Sequence, residues 1–398
     1  PLPAGSELFL LPKRIPVGFD PDREQFVQVP ADPFSGEEDC CAVAAFISPG
    51  CTVTHNPAYC EKEEAPQLPL FAYGALAYYK GAFFVAALRV DREKRQDLRR
   101  MDMKQIRRGV EEFRRLFPDN RLMRHLESCA LTYGCPAAKN FFQKRYEAPL
   151  PSSPACNARC AGCLSCQEET ECSHTQPRIT FVPAPEEIAE TALVHIRNVP
   201  DPVVSFGQGC EGEPLMAGET LLRAVRLIRA ETKKGIINLN TNASRPSVIE
   251  ALFDAGLDSI RVSLNSVREE YYIPYYRPRG YSFTDVCESI RIAEKYDRWV
   301  SVNYLSIPGF TNSPAEAAAL YSFIRTFRIN MIQWRNLNYD PVRYFKIVNT
   351  DASIIPQVTL REHITAIHRT FPLLMKGYFN PSAQRIRRFL SRRQKQSP

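Results

Sequence analysis

The protein has 398 residues, 44% of them hydrophobic, so it exceeds one average domain and can bury a sizeable core. Its 32 prolines and 18 glycines follow no fixed repeat, which excludes a low-complexity or repeat protein, and no apolar run approaches the length of a membrane span. The net charge of +7 does not by itself establish nucleic-acid binding. Because residues 1–10 lack the basic start and apolar stretch of a secretory signal, we expect a cytoplasmic protein with no membrane partner.

The N-terminal third, residues 1–145, is predicted to form a small α+β domain. Residues 73–79 and 82–90 have the composition of a β-hairpin around Lys80-Gly81. A long basic helix is predicted from about residue 92 to residue 117, and a second helix over residues 122–133.

The middle of the chain, residues 146–345, alternates between short β-rich runs and amphipathic helical stretches. This alternation predicts a parallel sheet with right-handed crossovers. About six βα units are too few for a complete eight-fold barrel, so we expect a partial (βα)6 barrel whose strand ends line an open mouth. The predicted strands cover residues 146–150, 203–206, 236–240, 259–264, 300–305 and 331–334, and the predicted helices cover residues 185–197, 219–230, 246–255, 283–296 and 314–327.

The C-terminal part, residues 346–398, is predicted to be a short helical extension. Its helix covers residues 360–371, and a loose basic tail follows Pro381. Residues 385–395 and 92–115 hold much of the positive charge. Either stretch is a candidate for contact with a polyanion such as RNA, although solvated helical faces have the same composition, and we favour that interpretation.

Three cysteines lie close together immediately after the first predicted barrel strand. The segment Cys156-Asn-Ala-Arg-Cys160-Ala-Gly-Cys163 has the spacing C-x3-C-x2-C. Zinc sites usually combine paired C-x-x-C elements that together supply four ligands, and ordinary iron–sulfur clusters also have four cysteine ligands. Cys166 and Cys172 follow closely, so a site with four cysteines, holding either zinc or a cluster, stays an alternative on spacing alone.

The three-cysteine spacing resembles the signature of the radical S-adenosylmethionine (radical SAM) superfamily. In that family three cysteines hold a [4Fe–4S] cluster, and the fourth iron binds the amino and carboxylate groups of SAM. The resemblance implies that Cys156, Cys160 and Cys163 are the cluster ligands. The resemblance extends over residues 146–344 and is greatest to the molybdenum-cofactor-synthesis and peptide-modifying branches of the superfamily. No cysteine follows Cys287, so the C-terminal auxiliary-cluster domain of those branches is not expected.

Further motifs occur at the ends of the next three predicted strands. Gly212-Glu213-Pro214 resembles the family's "GGEP" motif, whose backbone meets the SAM amino group. Asn240-Thr241-Asn242 is similar to a "TNG" step, and residues 259–266 are similar to "IRVSLDS", with Asn265 where aspartate is usual. The resemblance implies that SAM is bound by Gly212, Glu213, Pro214, Asn240, Asn242, Ser263 and Asn265. For Ser263 and Asn265 the alternative is that they close the barrel mouth without binding a ligand.

The family resemblance also implies a reaction. An electron from the reduced cluster cleaves SAM into methionine and a 5′-deoxyadenosyl radical, which then abstracts hydrogen from a peptide, a cofactor precursor or another small molecule. The electron donor is expected to be a flavodoxin or a ferredoxin. The alternatives are a radical SAM enzyme that modifies RNA and a non-catalytic zinc scaffold.

Other cysteines have less defined roles. Cys210, within the SAM-binding motif, is a candidate catalytic residue that donates hydrogen or reacts with a substrate radical, although buried free cysteines are often merely small apolar residues. An auxiliary iron–sulfur cluster or a zinc ion is a further candidate, with ligands among the cysteines of the N-terminal third, namely Cys40, Cys41, Cys51, Cys60, Cys129 and Cys135. Cys166 and Cys172 are further candidates for that site. The six cysteines of the N-terminal third have no standard ligand spacing, so buried thiols without a metal are an equal alternative.

Overall fold

A computed structural model describes residues 1–36, 40–166, 175–350 and 356–394. Within these ranges no helix combines the length and the apolar character that a membrane crossing requires.

The N-terminal segment contains several small antiparallel sheets. β1 pairs with β4, β2 lies between β3 and β6, and β5 pairs with β9. β7 and β8 form the predicted hairpin around Lys80-Gly81, which is thereby confirmed. The strands are β1 Glu7–Leu11, β2 Arg14–Asp20, β3 Gln25–Gln28, β4 Ala42–Phe46, β5 Cys51–Val53, β6 Tyr59–Glu61, β7 Leu76–Tyr79, β8 Ala82–Val85 and β9 Ala87–Arg89.

Three helices follow these strands: α1 Met103–Leu116, α2 Arg121–Leu131 and α3 Pro136–Phe142. The prediction that the first helix begins near residue 92 was wrong, because Asp102 caps α1 by accepting a hydrogen bond from the Lys104 amide. Ahead of it there is only a short 3-10 turn, Leu98–Arg100, capped in the same way by Asp97. Helix propensity and positive charge are continuous over residues 92–117. Asp97 and Asp102, however, each accept a hydrogen bond from a backbone amide and so begin two separate helical segments.

The main sheet has seven parallel strands in the order β10 to β16. It curls into the predicted partial barrel, and the predicted strands in residues 146–345 are all present. A further strand, β16, extends the sheet beyond β15 and was missed, because its residues Met375-Lys376-Gly377 include no β-branched or aromatic side chain. The strands are β10 Glu147–Pro149, β11 Val203–Phe206, β12 Ile236–Thr241, β13 Ser259–Leu264, β14 Trp299–Ser306, β15 Met331–Asn336 and β16 Met375–Gly377.

Helices connect these strands and cover the outside of the barrel. They are α4 Pro185–Asn198, α5 Gly218–Glu231, α6 Pro246–Ala255, α7 Glu269–Tyr276, α8 Phe283–Lys295, α9 Pro314–Thr326, α10 Pro341–Ile347, α11 Leu360–Thr370 and α12 Ala383–Gln394. The prediction of a loose tail after Pro381 was wrong as far as residue 394, because Ile386 and Phe389 of α12 pack against a buried cluster of Trp299, Met331 and Met375.

The two-residue period of the strands separates an apolar outer face from a polar interior. In β13, for example, Ile260 and Val262 are fully or almost fully buried in the hydrophobic core, whereas Arg261 and Ser263 line a cavity inside the barrel. The same core includes Phe113 of α1 and Ile367 of α11. The proposed boundaries at residues 145 and 345 therefore stay predictions, since packing is continuous across both.

Candidate functional site

The cysteine loop, residues 151–166, lies against the loop that contains Gly212-Glu213-Pro214. The Gly212 amide donates a hydrogen bond to the Ser153 carbonyl at 2.7 Å, and the Glu213 amide donates to the Ala155 carbonyl at 2.9 Å. A Cβ atom at residue 212 would lie 2.0 Å from the Ala155 carbonyl oxygen, which is far inside van der Waals contact. Glycine is therefore required here by the close approach of two backbones.

The opposite side of the cysteine loop is held by the aromatic segment around α7. The Ala161 amide donates to the Tyr275 carbonyl at 2.9 Å, and the Arg279 amide donates to the Asn157 carbonyl at 2.8 Å. Tyr272, Tyr275 and Tyr276 are buried. The backbone of this tyrosine-rich segment thus holds the cysteine loop by hydrogen bonds.

Cys156, Cys160 and Cys163 are all partly buried on this one loop. Burial raises the pKa of the Cys160 thiol well above its usual range, and the neighbouring sulfurs of Cys163 and Cys156 raise it further. Burial likewise raises the pKa of Cys156 to about 11. The Arg178 guanidinium lies 3.6 Å from the Cys163 sulfur, where it can stabilise a thiolate. Cys166 is also partly buried, and Cys172 lies outside the described residues.

Two buried glutamates connect the loops at this edge of the sheet. Glu213 accepts hydrogen bonds from the Thr241 hydroxyl and from the Asn242 amide, the latter at 2.8 Å. Glu211 accepts from the Ser152 amide and the Gln208 amide, each at 2.7 Å. Burial raises the pKa of both carboxyls to about 7. The carboxylate of Glu213 is therefore already hydrogen-bonded within the protein. The role of Glu211 in joining these loops was not predicted from the sequence.

A cavity of about 350 Å³ opens between the cysteine loop, the loop of residues 207–214 (the glycine-rich loop) and the barrel interior. Asn240 and Ser263 line this cavity, together with Gly162, Leu164, Gln208 and Asn303. The side chain of Asn242 instead donates to Asn157 at 2.9 Å. Asn265 follows the last residue of β13 and donates to the Tyr344 hydroxyl at 3.1 Å. Four polar residues at strand ends were predicted to bind SAM, and two of them, Asn240 and Ser263, line the cavity. Asn265 does not, because β13 ends at Leu264 and the alternation that would align Asn265 with Ser263 ends there.

Two arginines, Arg261 and Arg335, line the same cavity. Burial and the positive charge of Arg335 together lower the pKa of Arg261 to about 9. Among the described residues neither guanidinium forms a salt bridge. The cavity's carboxylate, Glu147, pairs with Arg95 at 2.7 Å. The interior is therefore positively charged, which the two-residue alternation of β13 alone did not reveal.

Cys210 is 3% exposed and does not line this cavity. It lies instead beside α2, where its sulfur and the ligand atoms of His125 and Cys129 are all within 4.8 Å of one another. Its predicted catalytic role stays a prediction. Of the other cysteines in the N-terminal third, Cys40, Cys41, Cys51 and Cys60 join no such group within the described ranges.

The basic stretches that suggested a polyanion partner are partly neutralised by nearby acids. Arg95 binds Glu93 and Glu147, Arg114 binds Glu127, and Arg385 of α12 binds Asp91 at 3.0 Å. Binding of nucleic acid stays a prediction without structural support.

Comparisons with known proteins identify the barrel segment. Residues 150–321 match the model of the radical SAM superfamily. The FeMo cofactor biosynthesis protein NifB of Klebsiella pneumoniae is 26% identical over 184 residues, which are 41% of this chain and 38% of NifB. The chain thus spans well under half the length of this curated relative.

Solved structures that resemble the chain include anSMEcpe with bound AdoMet and methylornithine synthase (PylB). The first has a TM-score of 0.41 at 15% identity and covers 57% of this chain and 62% of its own. The second has a TM-score of 0.41 at 17% identity and covers 68% of this chain and 77% of its own.

The chain carries a radical SAM domain. This domain is of the radical SAM superfamily, whose members cleave SAM at a [4Fe–4S] cluster.

Proposed function

We propose that Cys156, Cys160 and Cys163 hold the [4Fe–4S] cluster, and that the enzyme abstracts hydrogen from a cofactor precursor or a peptide. The observation that carries this proposal is the pair of backbone hydrogen bonds joining the cysteine loop to Gly212 and Glu213, beside a polar cavity in the barrel. Three thiols on one loop are a donor set that suits a cluster with one iron left free. The NifB relative, named for cofactor biosynthesis, favours a cofactor precursor.

When bound, the cluster and SAM would supply the 5′-deoxyadenosyl radical, while the chain's own residues orient SAM and the substrate. Gly212 lets the backbone of the glycine-rich loop approach the cysteine loop, and Glu213 fixes that loop to the end of β12. Asn240 and Ser263 offer hydrogen bonds from the cavity wall. The buried tyrosines of α7 keep water away from the cysteine loop, which a radical reaction requires. A flavodoxin or a ferredoxin is the proposed electron donor.

The charge of the cavity indicates an anionic group on the substrate or on SAM itself. Arg261 and Arg335 face the cavity, while the carboxylate of Glu147 is paired with Arg95. A guanidinium in a closed site binds carboxylate or phosphate oxygens strongly, because little water competes.

The decisive experiment is anaerobic reconstitution followed by addition of SAM and dithionite. We expect about four irons and four sulfides per chain and the formation of 5′-deoxyadenosine, and we expect Cys160→Ala to abolish both. Cys166→Ser distinguishes a cluster held by three cysteines from one that also uses Cys166. The substitution leaves the three-cysteine cluster intact and destroys the four-cysteine one. Cys287→Ser, a half-buried thiol on α8, is the matched control.

Zinc without iron in the reconstituted protein would contradict the proposal, and so would loss of the cluster in Cys166→Ser. Unchanged formation of 5′-deoxyadenosine by Cys160→Ala would contradict it as well.

A further inference from the structure

A second group of metal-ligating side chains lies outside the cysteine loop. His125 and Cys129 are four residues apart on α2, so they lie on the same face of that helix. Cys210 reaches the same point from the loop after β11, and the three ligand atoms all lie within 4.8 Å of one another. The Cys129 sulfur is 3.5 Å from Nε2 of His125.

These distances are compatible with a single bound ion. Zinc lies about 2.3 Å from thiolate sulfur and about 2.0–2.1 Å from imidazole nitrogen, so two ligand atoms of a tetrahedral site are roughly 3.5–3.8 Å apart. The separation of Cys129 and His125 already has this value. Cys129 and Cys210 are 2% and 3% exposed, so an ion held by them is shielded from solvent.

We propose that His125, Cys129 and Cys210 bind a zinc ion that joins α2 to the loop of Gly212-Glu213-Pro214. Two thiolates and one imidazole are a common protein donor set for zinc. These three side chains leave one position of a tetrahedral site open for a further ligand. The site is independent of the proposed cluster, because it shares no residue with Cys156, Cys160 and Cys163.

At this position the zinc ion stabilises the contact between the loop that contains Cys210 and α2. Cys210 lies two residues before Gly212, whose amide binds the cysteine loop. An ion on Cys210 therefore fixes the start of the glycine-rich loop to the helices of the N-terminal segment. It also commits the Cys210 sulfur to the metal, so that this thiol is not free to donate hydrogen to a substrate radical.

The test is metal analysis of the full chain carrying Cys156→Ala, Cys160→Ala and Cys163→Ala together, which removes the proposed cluster. We expect about one zinc per chain to remain. We expect this zinc to be lost when Cys129→Ser or His125→Gln is added, and to be kept when Cys287→Ser is added. Exchange for cobalt(II) gives a second readout, because tetrahedral thiolate coordination produces strong visible d–d bands and near-ultraviolet charge-transfer absorption.

Wild-type protein provides the same test without the triple replacement, by parallel measurement of zinc and iron. Zinc that persists in Cys129→Ser would overturn the proposal, and so would a metal-free wild-type protein whose Cys129 and Cys210 form a disulfide in mass spectrometry. Because SAM cleavage is not the readout, failure of the zinc proposal is distinguishable from failure of the proposed function.

Discussion

Gly212→Ala probes the contact between the cysteine loop and the glycine-rich loop. The added Cβ would lie 2.0 Å from the Ala155 carbonyl oxygen and 3.2 Å from the Cys156 amide nitrogen. Ordinary contact begins near 3.4 Å, so the two loops must separate by roughly 1.4 Å. That movement breaks the hydrogen bonds from Gly212 to Ser153 and from Glu213 to Ala155. At about 0.5–1.5 kcal/mol each, their loss lowers the free energy of unfolding by roughly 1–3 kcal/mol.

The functional effect is expected to exceed the effect on stability, because the displaced backbone leads directly into Cys156. We expect Gly212→Ala to retain less iron and sulfide after reconstitution and to form at least about tenfold less 5′-deoxyadenosine, since misplacement of reacting groups by about 1 Å is costly. Denaturant unfolding, iron and sulfide analysis and product chromatography measure these quantities. Gly18→Ala is the matched control, since its nearest atom would lie 3.9 Å from the new Cβ. A Gly212→Ala protein with wild-type stability, cluster content and product formation would refute the reasoning.

Three further predictions concern buried charges. Asp340→Ala leaves the fully buried Arg14 with Glu61 as its remaining acidic partner, and we expect it to lower the free energy of unfolding by about 3–5 kcal/mol in denaturant titration. Lys13→Ala, the control, removes an exposed ion pair and should change the free energy of unfolding little. Equal effects of the two substitutions would contradict the argument. Burial lowers the pKa of His368 to about 4, so the folded state binds fewer protons than the unfolded state and stability falls as the pH drops from about 6.5 towards 4. Burial also lowers the pKa of His195 and His363 to about 4, so His368→Gln should remove only part of this acid-side loss in thermal unfolding. His368 accepts a hydrogen bond from the Trp334 indole at 2.9 Å, and an unchanged pH profile in the variant would disprove the assignment. Because Arg261 lines the cavity, we expect phosphate to raise the unfolding temperature of the wild-type protein more than chloride does at matched ionic strength. This difference should be lost in Arg261→Gln and kept in Arg328→Gln, which changes an exposed arginine. The same difference in both variants would mean that the anion binds outside the cavity.

Local patterns in the sequence were sufficient for the barrel and for part of the site. Strands such as β12 and β13 are short apolar runs between amphipathic helices, so their presence was evident from periodicity and turn residues. The three cysteines and Gly212-Glu213-Pro214 are contiguous motifs, and contiguous motifs are visible without a fold. The start of α1 and the helix after Pro381 were misjudged, because a single capping aspartate and a small apolar patch decide them.

The amino-acid sequence by itself thus determined which segments form the parallel barrel and which loops hold the chemical motifs, because both depend on residues that are neighbours in the chain. Only the tertiary structure decided which distant side chains meet. The meeting of Cys210 with His125 and Cys129, the pairing of Arg14 with Asp340 and the addition of β16 to the sheet all join segments far apart in the chain. Such contacts follow from how helices and strands pack in three dimensions, and no local spacing encodes them.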